Sequence, residues 1–328
     1  MDEALLQRLV MAHSTPGDEA EVRGVLEACW RASGWRVERH GDYAVSAGLP
    51  EAEDARPVLL ICAHMDSPGY SVDRLAVQSG VAGRAAFGVT ELGSPEFGGG
   101  RAAAVLKCGD RRVNGFLVAA EEDGETDCRF EAAAGEAEQA GVRHGDRVCF
   151  AAVFETEGTL FTAPFLDNRL GCWMLARLAE EAPGWRTGYR IVLGATGSEE
   201  MGGFGARVLA QQVRPDLVVV LDTTYASEEQ GVRLGGGPVL TLSDASVLLS
   251  PALRDRVAAL MARQGVPLQT EVYNFSGTDA RAFPQQGLPC PVLPVLVATR
   301  GNHAPRETAD LRDLAAWLAA VRAIAEQF

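Results

Sequence analysis

Apolar residues first recur at helical spacing. Leu5, Leu6, Leu9 and Val10 fall on one side of a 3.6-residue period and predict a short amphipathic helix. Thr15-Pro16-Gly17-Asp18 interrupts it and caps a second helix over 19–32, with an apolar side of Val22, Val25, Leu26 and Cys29. The period then shifts to two, and residues 35–38 and 43–45 alternate as strands do. Residues 58–63 form a continuous apolar run, the pattern of a central strand buried on both faces, which stops at His64-Met65-Asp66.

Between 67 and 164 the texture changes. Gly and Ala become frequent, and short alternating segments at 70–72, 113–118 and 147–151 are separated by turn residues, with one short helical stretch at 135–140. That pattern predicts a small β-barrel or sandwich. The run Phe87 to Gly100, FGVTELGSPEFGGG, reads as a mobile loop.

From 165 the longer rhythm returns. Asp167-Asn168 opens a helix with apolar positions Leu170, Met174, Leu175 and Leu178. A strand at 191–195, a helix at 205–212 and a strand at 217–221 ending in Asp222 follow. Beyond the Gly-rich turn at 235–238 come a strand at 239–242, a helix at 251–264 and a strand at 270–273. Pro291 and Pro294 mark 291–297 as an edge or irregular strand. The last helix, 310–327, buries Leu311, Leu314, Leu318, Val321 and Ile324. Strands alternating with helices predict an α/β fold with a mostly parallel mixed sheet covered on both faces. The expected division is a discontinuous domain, 1–66 and 165–328, with an inserted β-domain at 67–164.

Composition narrows the function classes. The 328 residues are 47% hydrophobic and 23% charged, enough for a large core, and the net charge of -14 argues against a nucleic-acid partner. Seven scattered cysteines without a C-x-x-C pair suit reduced thiols in a cytoplasmic protein. The N-terminal segment has no secretory pattern, and no stretch is long and apolar enough to span a membrane.

The candidate chemistry lies at the strand ends, where open α/β sheets place their sites. Ile191 to Ala206, IVLGATGSEEMGGFGA, runs from a strand into a turn with two adjacent carboxylates, Glu199 and Glu200, so that one can bind a metal while the other handles protons. His64 and Asp66 are two apart on an extended chain and face the same way. Asp167 at a helix start, Asp222 at a strand end and His303 in a loop would each be unremarkable alone. Together, two imidazoles and three carboxylates suit a pair of divalent ions with one bridging carboxylate. His13, His40 and His144 have no such context.

This set, in this order, resembles the di-metal aminopeptidase family of glutamyl and deblocking aminopeptidases and tetrahedral dodecameric aminopeptidases, some formerly named endoglucanases. The anchors are Ala63-His64-Met65-Asp66, Asp167-Asn168-Arg169-Leu170-Gly171-Cys172, Ser198-Glu199-Glu200-Met201-Gly202, Val220-Leu221-Asp222, Gly277-Thr278-Asp279-Ala280 and His303-Ala304-Pro305-Arg306-Glu307. The resemblance implies a di-zinc exopeptidase-like fold whose insert is a PDZ-like barrel that builds a homo-oligomer, a dodecamer in the family, and borders its substrate chamber. It makes Asp167 the bridging ligand, His64 and Asp222 the remaining ligands of one ion, and Glu200 and His303 those of the other. Glu199 becomes the general base that deprotonates a metal-bridging water, and Asp66 the residue that orients His64. Departures include Ser67-Pro68-Gly69 where the family usually has Glu-Ile-Gly, and Asp42-Tyr43-Ala44 where a Gly-Asn pair is common; neither touches an expected ligand.

The expectation is therefore a cytoplasmic metallo-aminopeptidase acting on short peptides, with two ions per subunit drawn from Zn, Co, Mn or Ni. Its rivals are a carboxypeptidase or N-acyl deacylase on the same core, and a catalytically silent peptide-binding assembly. A glycosidase would leave His64 and His303 without a task.

Overall fold

The computed structural model describes residues 2–49, 55–77, 79, 81–97, 99–122 and 125–328. Two helices, α1 (Glu3–Met11) and α2 (Ala20–Ala32), lead into β1 (Arg36–His40), β2 (Ala44–Gly48) and β3 (Val58–His64). Six strands then form a compact excursion: β4 (Gly69–Val77), β5 (Arg84–Leu92), β6 (Gly100–Cys108), β7 (Arg111–Glu122), β8 (Glu125–Ala133) and, after the short helix α3 (Ala134–Ala140), β9 (Arg147–Phe150). They close a barrel in the order β4-β5-β8-β7-β6-β9, antiparallel throughout, around Tyr70, Leu106, Leu117, Phe130 and Val148. Closure removes the exposed strand edges such short segments would otherwise present.

The rest of the chain completes the large sheet. Its elements are β10 (Glu155–Glu157), β11 (Leu160–Ala163), α4 (Leu166–Glu181), β12 (Arg190–Thr196), α5 (Phe204–Val213), β13 (Leu217–Tyr225), β14 (Val239–Ser243), α6 (Pro251–Gln264), β15 (Gln269–Val272), α7 (Ala282–Gln285), β16 (Val292–Arg300), β17 (Glu307–Asp310) and α8 (Leu311–Gln327). Eleven described strands make up this sheet, in the order β1-β2-β12-β3-β13-β16-β17-β11-β10, with β14 and β15 branching from β16. The centre, β12-β3-β13-β16, is parallel. Both margins of this path are antiparallel, and the branch adds one more parallel pair, β14 with β15.

Alternation along the central strands sorts the core into two layers. Leu59, Ile61 and Ala63 of β3, with Leu217, Val219 and Leu221 of β13, join the layer that includes α1, α2, α4, α6 and α8. Leu60 and Cys62, with Val218 and Val220, join the layer under α5 and Phe283 of α7. Helices thus cover both faces, as a central strand apolar at every position requires.

The structure departs from the sequence expectations at several places. Residues 155–163 belong to the large sheet, because β11 pairs with β17, and the barrel strands end at Phe150. Phe87 to Leu92, expected in a loop, belongs to β5; it buries Phe87, Gly88 and Val89 in succession and so carries no alternating strand signal. Asp222 does not end its strand, since the β-branched Thr223 and Thr224 carry β13 on to Tyr225. The proline-bearing strand β16 is interior. Pro294 is accommodated because β13 pairs along one side while pairing to β14 on the other involves only Val295 and Leu296. No helix among the described residues is long and apolar enough to cross a membrane, and Cys29, Cys62, Cys108, Cys149, Cys172 and Cys290 are free thiols.

Candidate metal centre

The C-terminal ends of the parallel strands deliver side chains to one cavity of about 400 Å³, whose lining includes His64, Asp167, Glu199, Glu200, Asp222 and His303. A second cavity of about 370 Å³ lies along the sheet margin at Arg36, His40 and Arg190, and it gathers none of these groups.

His64 sits at the end of β3, buried, with Nε2 3.2 Å from Asp167 Oδ1 and 3.3 Å from Asp222 Oδ1. His303 follows β16 in a left-handed conformation (φ 67°), with Nε2 3.4 Å from Glu200 Oε1 and 3.7 Å from Asp167 Oδ2. Asp167 therefore turns one carboxylate oxygen towards each histidine. It does not cap α4, as its position at a helix start suggested. Asp167 and Asn168 hold non-helical angles joined by a cis peptide bond, and Asn168 anchors the bend by donating to the Leu221 carbonyl at 2.8 Å.

The tautomers decide what this arrangement can hold. His64 Nδ1 lies 3.0 Å from the Asp66 carbonyl oxygen, and His303 Nδ1 lies 3.0 Å from that of Ser94. A carbonyl only accepts, so each Nδ1 carries the proton. In the neutral ring, Nε2 then presents a lone pair to two carboxylate oxygens. That geometry is repulsive unless a proton or a cation lies between them. Burial opposes a charge on His64, yet Asp222 and Asp167 drive its pKa well above the ordinary imidazole range. For His303 burial is likewise outweighed, by Asp167 and Glu200, and the pKa rises to about 10. Asp167 Oδ1, fully buried, has no hydrogen-bond donor in line with it. Two groups, His64-Asp167-Asp222 and His64-Glu199-Glu200, each bring three ligand atoms within 4.8 Å of one another. The residues fit divalent cations.

The two glutamates differ. Glu199 receives Arg281 Nη2 on Oε1 at 2.9 Å; burial raises its pKa well above the carboxylate range, with His64 opposing and Asp279 and Glu200 reinforcing. Glu200 is raised to about 8 by burial, with His303 pulling it down and Asp167 pushing it up. Asp66 meets His64 in a different way from the expected one. Its carboxylate is 3.8 Å from His64 Nδ1 and instead accepts the backbone N–H groups of Glu199 and Glu200. The group that faces His64 Nδ1 is the Asp66 main-chain carbonyl.

Three participants escaped the sequence reading. Glu307 is buried and accepts the backbone N–H groups of Asp167 (2.8 Å) and His303 (3.0 Å), tying the two residues together. Asn302 donates to Asp167 Oδ2 at 3.3 Å and to Thr223 Oγ1 at 2.8 Å. Arg281 follows Asp279 by two residues, and only the folded chain brings it to Glu199. Glu307 closes the His303-Ala304-Pro305-Arg306-Glu307 motif, which was its available signal. His13, His40 and His144 lie outside the lining of the cavity.

The architecture is shared with aminopeptidases of known structure. The TET aminopeptidase of the marine archaeon Thaumarchaeota archaeon SCGC AB-539-E09 superposes with a TM-score of 0.87 at 22% identity, covering 99% of this chain and 96% of that one. The TET1 peptidase of Pyrococcus horikoshii gives a TM-score of 0.85 at 22% identity, covering 99% of each. At the level of sequence, the family model of the M42 glutamyl aminopeptidases matches residues 123–319, more than half of the chain, and the chain belongs to that family. The glutamyl aminopeptidase of Lactococcus lactis is 25% identical over 323 residues, 91% of this chain and 89% of that protein. Other matches are shorter. The chain spans about half the length of several curated relatives, including 53% of one from Acetivibrio thermocellus at 29% identity.

Proposed function

We propose that the chain is a metal-dependent aminopeptidase that removes N-terminal residues from short peptides. The observation that carries this reading is the pair of imidazoles committed through Nδ1 to backbone carbonyls while both Nε2 atoms point into one carboxylate cluster. His64 and Asp222 would hold one divalent ion, Glu200 and His303 a second, with Asp167 shared. When bound, such ions polarise a carbonyl and lower the pKa of water.

The chain's own residues do the rest. Glu199 accepts a proton from the attacking water as the water oxygen bonds to the peptide carbonyl carbon. It returns that proton to the nitrogen as the C–N bond breaks, so the leaving peptide departs as a neutral amine. Its buried setting raises its basicity towards what proton transfer near neutral pH needs. The hydrogen bond from Arg281 holds Oε1. Asp66 and Glu307 keep the glutamate turn, Asp167 and His303 in register through the backbone. A cavity of this volume encloses an end of a chain rather than a folded protein, and its carboxylates favour a free N-terminal ammonium.

The barrel is assigned to self-association. The Pyrococcus horikoshii TET1 peptidase, whose fold is similar, can assemble into a tetrahedron or a large octahedral shell. Light scattering on the purified chain tests this directly, with a monomer as the adverse result.

The activity is tested by metal analysis combined with a panel of aminoacyl p-nitroanilides, N-acylated amino acids and C-terminal substrates, before and after chelation. Cleavage of the unblocked aminoacyl substrates should vanish on chelation and return with added metal. Cleavage of the blocked substrates instead would move the protein to the deacylases, and glucan hydrolysis that survives chelation would move it out of the peptidases.

A further inference from the structure

Glu19 stands at the start of α2 but makes no side-chain hydrogen bond to that helix. It is 4% exposed, and its Oε1 turns the other way. That oxygen accepts the backbone N–H of Gly17 at 2.7 Å, the backbone N–H of Ser198 at 3.0 Å and the Ser198 hydroxyl at 3.3 Å. The fit is close, since a Cβ on Gly197 would lie 2.9 Å from Glu19 Cδ and Oε1. Ser198 occupies the left-handed region (φ 57°), which a non-glycine residue holds only when its surroundings enforce it. Glu199 and Glu200 follow immediately.

The same segment is fastened to the barrel on its other side. Lys107 of β6 reaches both oxygens of Asp18 at 2.8 Å, and Arg112 of β7 pairs with Glu21. Glu19 thus lies between the barrel attachment and the turn that presents the two glutamates.

We propose that Glu19 is a positioning residue: its carboxylate oxygen enforces the left-handed turn at Ser198 and so fixes where Glu199 and Glu200 project. The link to catalysis rests on the function proposed above; the link to the turn does not. The requirement is for an acceptor at the right reach, not for charge. Burial, with Asp66 nearby, raises the Glu19 pKa, which already disfavours the charged form.

Reach and charge are separated by two variants of the metal-loaded full chain. Glu19→Gln keeps an acceptor oxygen at the Oε1 position. Glu19→Asp keeps the charge but withdraws it by one methylene, about 1.5 Å. Glu19→Asp should lose on the order of 10²-fold in kcat with KM little changed, the scale of an ångström-level misplacement. Its amide hydrogen exchange should accelerate at residues 197–203 and not in the central strands. Glu19→Gln should match the wild type in both readouts. The proposal is overturned if Glu19→Asp exchanges like the wild type at 197–203, or if Glu19→Gln is impaired as much as Glu19→Asp. Should the wild type prove to have no peptidase activity, the proposed function fails, while the exchange comparison still decides the role of Glu19 at the turn.

Discussion

Asp66 holds the backbone of Glu199: its Oδ1 accepts the Glu199 N–H at 3.1 Å, and Oδ2 accepts that of Glu200 at 3.2 Å. A fully buried carboxylate with both oxygens committed to adjacent amides acts as a template for the turn. An asparagine at this position offers one acceptor and sets an NH₂ against the second N–H. Asp66→Asn should therefore lower kcat/KM for an aminoacyl p-nitroanilide by about 10–100-fold, the usual effect of losing a group that supports metal ligands. A variant with undiminished kcat/KM and normal metal content would remove Asp66 from the site.

Glu199 and Glu200 should separate cleanly by substitution. Glu199→Gln leaves the proposed ligands in place, so metal content should stay at the wild-type level while kcat falls by at least ~10²-fold. Glu200→Gln should instead lower the bound metal. Elemental analysis of the two purified variants beside their kcat values checks the assignment, and a reversed pattern would exchange the two roles.

Glu307 joins Asp167 to His303 without touching the cavity chemistry itself. Glu307→Ala leaves the buried N–H of Asp167 unpaired, at about 1–3 kcal/mol, and the half-buried N–H of His303 without its partner. Chemical denaturation should show a loss of that size, and metal should be lost from the folded variant because Asp167, the proposed shared ligand, and His303 drift together. Retention of full metal content in Glu307→Ala would show that Asp167 and His303 are positioned without it.

The parts of this arrangement that were legible in the sequence are those with a local signature. Residues 58–63 are apolar at every position, and a strand buried on both faces needs that pattern, so β3 and His64 at its end could be read directly. Glu199 and Glu200 stood out as adjacent acids after a strand, although their order came from resemblance. Contacts across large sequence separations left no such trace. Glu19 looks like an acid at a helix start, a common electrostatic preference, and only the fold brings Ser198 to it across 179 positions. Arg281 reaches Glu199 across 82 positions. Residues 155–163 could not be separated from the barrel by pattern, because β10 and β11 are only three and four residues long and β17, which pairs with β11, lies at the far end of the chain.

The anchor between the N-terminal segment and the barrel should make stability depend on pH in acid. Burial works against a charge on Asp18, but hydrogen bonds from His13 and Lys107 outweigh it and hold its pKa at about 2, below the 3.8 of an unperturbed aspartate. A pKa depressed in the folded state gives stabilisation that is complete above the unfolded value and disappears as pH falls through the folded one. At pH 6 Asp18→Asn should therefore be less stable than the wild type by about 2 kcal/mol, the free energy of a shift of this size. Between pH 4 and pH 2 that difference should shrink towards zero. His13 moves the wild type in the same direction: burial lowers its pKa, so the unfolded chain takes up a proton more readily below the ordinary imidazole range. Urea titrations of both proteins at pH 6, 4 and 2.5 provide the measurement. A gap that stays constant down to pH 2.5 would mean that Asp18 contributes through packing, and that the Lys107 contact adds no charge-dependent stability.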